Sequence, residues 1–180
     1  MKLLKRRPKL VSTPVWFLDI DGVLAPFCGN DSFASFPTAW HGTVAYDPTI
    51  IRRIVAMVDY GLVTVEWLTS WDHDADSVFA SSTGMPRFTV HAESEARRGG
   101  GASDSAWWKI QVATRSAGRK VVWTDDELGL RQHHQIPVTG EQGCPDHQLR
   151  LAPDSRYGLT HAHLDQIETF LTTNTMNITS

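Results

Sequence analysis

The sequence is short of cysteine: among 180 residues only Cys28 and Cys144 occur, far apart and at no metal-ligand spacing. That excludes a disulfide framework or a zinc knuckle and leaves two ordinary thiols. No sign of charge dominates either. A formal net charge of -3 gives no overall basic field of the kind that drives nonspecific nucleic-acid binding, so any such contact needs a local patch. No apolar run has the length of a signal peptide or a bilayer span, and there is no internal repeat. The expectation is a soluble, cytoplasmic protein with no membrane partner. The basic start (Lys2, Lys5, Arg6, Arg7, Lys9) reads as a solvated, unstructured segment over 1–14. Residues 15–180, in a chain of 41% hydrophobic content, are enough for one compact domain and little more.

What is present is a mostly alternating β and α pattern. Val15 to Leu18 are wholly apolar and run into acidic residues, as suits a strand buried on both faces of a parallel sheet. Residues 24–46 lack periodicity and read as a long excursion with room for a small hairpin. Asp47-Pro48 is a helix start, an Asx cap followed by proline at the first helical position. Ile50, Ile51, Ile54, Val55 and Val58 follow at helical spacing until Gly61. Leu62 to Leu68 form the next strand and Asp72 to Ala80 the next helix; residues 81–102 read as loop, with a short strand near Phe88 to Val90. Ser103 and Asp104 are placed to cap a helix reaching about Ser116 and ended by Gly118. Lys120 to Thr124 and Leu149 to Ala152 are further strands, and Thr160 opens an amphipathic helix carrying Leu164, Ile167, Phe170 and Leu171. This order predicts an α/β fold, an open parallel sheet with helices on both faces and a ligand site beyond the carboxyl ends of the strands.

The chemistry concentrates in Phe17-Leu18-Asp19-Ile20-Asp21-Gly22-Val23-Leu24. Two carboxylates two residues apart at a strand's end face the same side, into the predicted crevice. Two anions packed there call for a shared cation, and an all-oxygen donor set favours magnesium. Gly22 lets the chain turn sharply afterwards. A calcium loop of the EF-hand type is excluded, because the glycine comes too early, no glutamate stands at position twelve, and a buried strand precedes the motif.

The Asp19-Ile20-Asp21-Gly22 segment after an apolar strand resembles the first motif of the haloacid dehalogenase (HAD) superfamily, and the likeness runs over about residues 15–130. The resemblance implies a HAD-like, Rossmannoid three-layer sandwich with a central parallel sheet. It assigns the second motif to Thr69, with Ser70 as the alternative, in Val65-Glu66-Trp67-Leu68-Thr69-Ser70. The third falls on Lys109 in Ser105-Ala106-Trp107-Trp108-Lys109, and the fourth on Asp125 and Asp126 after Val121-Val122-Trp123-Thr124. It implies a magnesium-dependent phosphomonoester hydrolase in which Asp19 attacks phosphorus and forms an aspartyl-phosphate. Asp21 serves as general acid and then base, its backbone carbonyl helping to hold the metal. Dehalogenases of the superfamily lack this second aspartate, so phosphoryl transfer is favoured. The metal set is Asp19, Asp21, Asp125 and Asp126; Gly22, Ser70, Trp71 and Trp108 are expected at the substrate. Both cap-insertion segments are too short for a full cap domain. The Thr69-Ser70-Trp71 and Trp123-Thr124-Asp125-Asp126 stretches and the Trp108-Lys109 pair are similar to the phosphatase-like domains associated with Swiss Army Knife RNA repair. The partner is then a phosphorylated substrate, either a small molecule or a nucleic-acid end. A catalytically silent phosphate-binding module is the alternative of another class.

Other features carry less. Trp67 and Trp123 lie within strands and read as core. His133-His134 and His161-x-His163 lack companions at a recognised ligand spacing, and Arg87, Arg97 and Arg98 read as solvated loop.

Overall fold

A computed structural model describes residues 12–98, 105–114, 119–128 and 136–173. The chain passes through β1 (Val15–Leu18), β2 (Ala34–Pro37), β3 (Thr43–Tyr46), α1 (Pro48–Asp59) and β4 (Thr64–Trp67). A π-helical turn (Ala75–Ala80) then runs straight into the short α2 (Ser81–Thr83). After it come β5 (Thr89–Val90), α3 (Glu93–Arg98), α4 (Ser105–Thr114), β6 (Val121–Thr124), β7 (Gln148–Leu151) and α5 (His161–Thr172).

Five of the strands form one sheet in the order β5-β4-β1-β6-β7, and every pairing in it is parallel. β1 is central because all four of its residues are apolar and buried. Alternation along it feeds two separate cores. Trp16 and Leu18 face Val65, Trp67, Val122 and Leu149 beneath α1 and α5. Val15 and Phe17 point the other way, with Val121 and Trp123, against Trp108, Val112 and Ala113 of α4. Helices therefore cover both faces, as the strand-helix alternation predicts. The one polar side chain placed inward on β6, Thr124, is fully buried and accepts a hydrogen bond from Trp16 Nε1 at 2.9 Å.

Local signals set the helix starts. The Asp47 side chain accepts from Thr49 N at 2.7 Å ahead of Pro48. Thr160 caps α5 in a capping box completed by His163. Arg53 joins the two helices through Asp165 (2.8 Å) and Glu168 (2.9 Å). The expected hairpin is there, β2 pairing antiparallel with β3.

Besides the short α2, which falls in the segment read as loop, three parts of the chain differ from the sequence expectation. The segment after β4 is a π-helical turn rather than an α-helix, which brings Ala75, Phe79 and Ala80 together on the buried side. The Ser81 hydroxyl donates to the Asp76 carbonyl, five residues back, across that wider turn. Residues 93–98 are helical although read as loop; Glu-Ser-Glu-Ala-Arg-Arg has no apolar stripe to reveal it. The helix starts where the Asp72 carboxylate accepts from Glu93 N at 2.6 Å. At the start of the chain, Thr13 and Pro14 are tied in rather than loose: their carbonyls accept from Arg119 Nε and Thr64 N at 2.9 Å each. The expected cap at Ser103 and Asp104, the stop at Gly118 and the His133-His134 pair lie outside the described residues, as do residues 1–11. Among the described residues no helix is long and apolar enough to cross a membrane.

Candidate metal and nucleophile site

Parallel strands all release their chains at one edge, and three of them deliver polar side chains to one point there. Asp19 follows β1, Thr69 follows β4, and Asp125 follows β6; all three are buried. Lys109, brought in from α4, lies between the two carboxylates: its Nζ is 2.6 Å from Asp19 Oδ2 and 2.8 Å from Asp125 Oδ2. The second oxygens are also held, Asp19 Oδ1 by Ile20 N (2.7 Å) and Asp125 Oδ1 by Glu127 N (2.9 Å). Asp126 completes the cluster. One oxygen from each of Asp19, Asp125 and Asp126 lies within 4.8 Å of the others, a spacing that can hold a metal ion.

The electrostatics follow from burial. Desolvation pushes the Asp19 carboxyl up to about 7; Lys109 works against the rise and the charge of Asp125 adds to it, while the Thr69 hydroxyl lowers it slightly. Burial would lower Lys109, yet the two carboxylates outweigh it and hold the ammonium above its ordinary value. Asp126, half-buried, is pushed up to about 6, by desolvation first and by Asp125 second. Three carboxylates face one ammonium there, so negative charge outweighs positive as Asp19 and Asp126 ionise, and a cation would relieve it.

The loop after β1 shapes the entrance. The Ile20 carbonyl accepts from Val23, Leu24 and Ala25 (3.1, 2.9 and 2.8 Å), folding the chain back on itself just past Asp21. Gly22 sits at φ +66°, where an added Cβ would stand 2.5 Å from Asp126 Cγ and 2.9 Å from Ser155 Cβ. Only glycine lets this turn and Asp126 share the space.

A cleft of about 300 Å³ opens onto the cluster, lined by Asp19, Asp21, Ser70, Trp108, Lys109 and Asp126 together with Phe27, Glu93 and Glu127. The structure thus gathers most of the residues singled out in the sequence. Asp21 is half-buried in the cleft wall, but its carboxylate is outside the three-carboxylate set. Trp71 is not at the cleft: it is 3% exposed, packs edge-on against Phe79 and stacks under His41 of the β2–β3 turn at 3.8 Å. Its large ring follows the chain into the core rather than the crevice. Of the hydroxyl pair, buried Thr69 faces Asp19, whereas exposed Ser70 lines the cleft. Phe27, Glu93 and Glu127 were missed by motif reasoning, although each lies in a segment that leaves a strand's carboxyl end. His161 and His163 are engaged at the start of α5, with Thr49 and Arg53 and with Thr160 respectively.

No protein-family model matches this chain, and no curated protein or solved structure matches it.

Proposed function

We propose that the chain is a magnesium-dependent phosphomonoester hydrolase working through an aspartyl-phosphate on Asp19, with a HAD-like active site. The observation that carries this reading is the Lys109 ammonium shared between Asp19 and Asp125, with Asp126 beside them, at the carboxyl edge of a parallel sheet. Folding gains nothing from crowding carboxylates there: a buried ionic cluster is weak evidence for stability, and shifted titrations of this kind gather at working sites. A silent phosphate-binding module would need the cation and the lysine but not a carboxylate poised to attack.

The donor set fits magnesium, a hard ion that prefers oxygen. Asp19, Asp125 and Asp126 would hold it, with the Asp21 carbonyl as a further ligand; bound there, it would neutralise phosphoryl charge and fix the phosphate against Asp19. The protein's own groups do the rest. Lys109 lowers the charge that builds on the phosphoryl oxygens, and the Thr69 hydroxyl donates to one of them. An Asp19 oxygen bonds to phosphorus as the ester P–O bond breaks, and Asp21 hands its proton to the leaving oxygen. Asp21 then takes a proton from water, the water oxygen bonds to phosphorus, and the Asp19–phosphorus bond breaks to release phosphate.

The test is phosphate release from an aryl phosphate, nucleotides, sugar phosphates and end-phosphorylated oligonucleotides, with magnesium and with chelator. Magnesium-dependent release in the parent protein, lost in a folded Asp19→Asn variant, is the expected result. Release that survives Asp19→Asn would remove Asp19 as nucleophile. A folded, magnesium-binding protein that releases phosphate from none of these esters would turn the assignment to the binding module.

A further inference from the structure

Among the described residues Phe27 is, with Trp40, Tyr60 and Tyr157, an exposed large apolar side chain, at 67% exposure, while Trp16, Phe17, Trp67 and Trp123 of the five-stranded sheet are buried. Scattered exposed apolar residues need no explanation, but this one lines the candidate cleft beside Asp21 and Asp126. Its position is held rather than loose. Buried Pro26 precedes it, Phe27 N donates to the Ser155 carbonyl at 2.9 Å, and Cys28 N donates to the Arg156 carbonyl at 3.0 Å. The loop behind it is seated as firmly: Gly158, at φ +67°, lies so close to the Val23 carbonyl that no Cβ fits between them. A ring on a clamped loop loses little freedom when something packs on it, the property that makes aromatic side chains effective contact groups.

We propose that Phe27 contacts the substrate and selects leaving groups that carry a planar aromatic ring; this rests on the hydrolase reading above. The cleft has about 300 Å³, at the small end of the range for ligand sites, so a phosphate and one ring fill it. Trp108, whose own ring belongs to the core beneath α4, also lines the cleft. One cleft is therefore lined both by charged groups, Asp19 and Lys109 among them, and by the Phe27 ring. A ring on the leaving group can pack offset or edge-on against Phe27, whereas a saturated ring of equal size gains only the burial.

Benzyl phosphate and cyclohexylmethyl phosphate test this, because their leaving alcohols are similar in acidity and differ only in the ring. With magnesium present, kcat/KM for the benzyl ester is expected to exceed that for the cyclohexylmethyl ester by about 2- to 12-fold. Phe27→Ala should bring the ratio to about one, and Phe27→Tyr should keep it. A ratio near one in the parent protein, or one unchanged by Phe27→Ala, overturns the proposal while leaving the hydrolase reading intact. If neither ester is hydrolysed, the hydrolase reading still rests on the wider ester panel above. Calorimetric affinities of benzylphosphonate and cyclohexylmethylphosphonate then make the same comparison, and equal affinities or no binding overturn the proposal.

Discussion

Lys109→Met keeps most of the side chain's length and volume and removes the ammonium that lies 2.6 Å from Asp19 and 2.8 Å from Asp125. Those carboxylates are 4% and 2% exposed, so water cannot replace the lost partner. Removing one member of such a buried ionic cluster costs about 3–5 kcal/mol. In a chain of this size each kcal/mol lowers Tm by about 2–4 °C, so the variant should melt roughly 6–20 °C below the parent in chelator. The loss depends on pH in a definite direction. Above about 7 the Asp19 carboxyl is ionised and the cluster is most crowded with charge. Without Lys109 to lower it, the Asp19 carboxyl of the variant is pushed higher still. The variant therefore takes up its proton first, and the deficit shrinks as pH falls towards about 7. Magnesium should restore more stability to the variant than to the parent, because it supplies the cation that the variant lacks. Thermal melts of both proteins at about pH 5.5 and pH 8, each with chelator and with magnesium, measure all of this. A fall of under about 2 °C at the higher pH in chelator, or an equal fall at both pH values, would refute the ionic account of Lys109.

Gly22→Ala places a Cβ in a left-handed turn and against Asp126; it should cost at least about 1–2 kcal/mol in denaturant unfolding and weaken magnesium in a titration. Retained stability and affinity would mean that the turn relaxes freely. Magnesium affinity in the parent should fall as pH drops through about 7 and about 6, where Asp19 and Asp126 gain protons that compete with the metal. Calorimetric titrations across that window check it, and a flat profile would move the metal elsewhere. The same raised carboxyls bind protons in the folded chain that the unfolded chain has released, so metal-free stability should decline as pH rises from 3.8 towards about 7. Thr160→Ala removes the hydroxyl that accepts from His163 N and should cost about 1 kcal/mol, with Thr160→Ser nearly neutral. An alanine variant as stable as the parent would show that the box contributes nothing.

Much of the fold was legible because its signals are local. Asp47-Pro48 and Thr160 cap their own helices within a few residues, and the buried β1 is a bare apolar run. Of the two helices that escaped notice, α3 has no apolar face and depends on Asp72, twenty-one residues away, to receive its first amide, and α2 is a three-residue extension of the π-helical turn. The π-helical turn was invisible for a similar reason: α and π hydrogen bonds differ in span by a single residue, and packing of Phe79 against Trp67 and Trp71 chooses between them.

By itself the sequence determined the strand that ends in Asp19-Ile20-Asp21-Gly22, the alternation that makes the sheet parallel, and hence the edge at which the acidic residues gather. Apolar periodicity and the handedness of β-α-β connections act along the chain and need no distant partner. Tertiary structure decided which of those residues meet. Lys109 and Asp19 are ninety residues apart, and they touch only because β1 pairs with β4 on one side and β6 on the other while α4 packs beneath. It also sent Trp71 into the core, turned Phe27 to the cleft, and paired the lysine with Asp125 while leaving Asp126 against Gly22. Those choices come from long-range packing and from the burial of charge, neither of which leaves a mark on neighbouring positions in the chain.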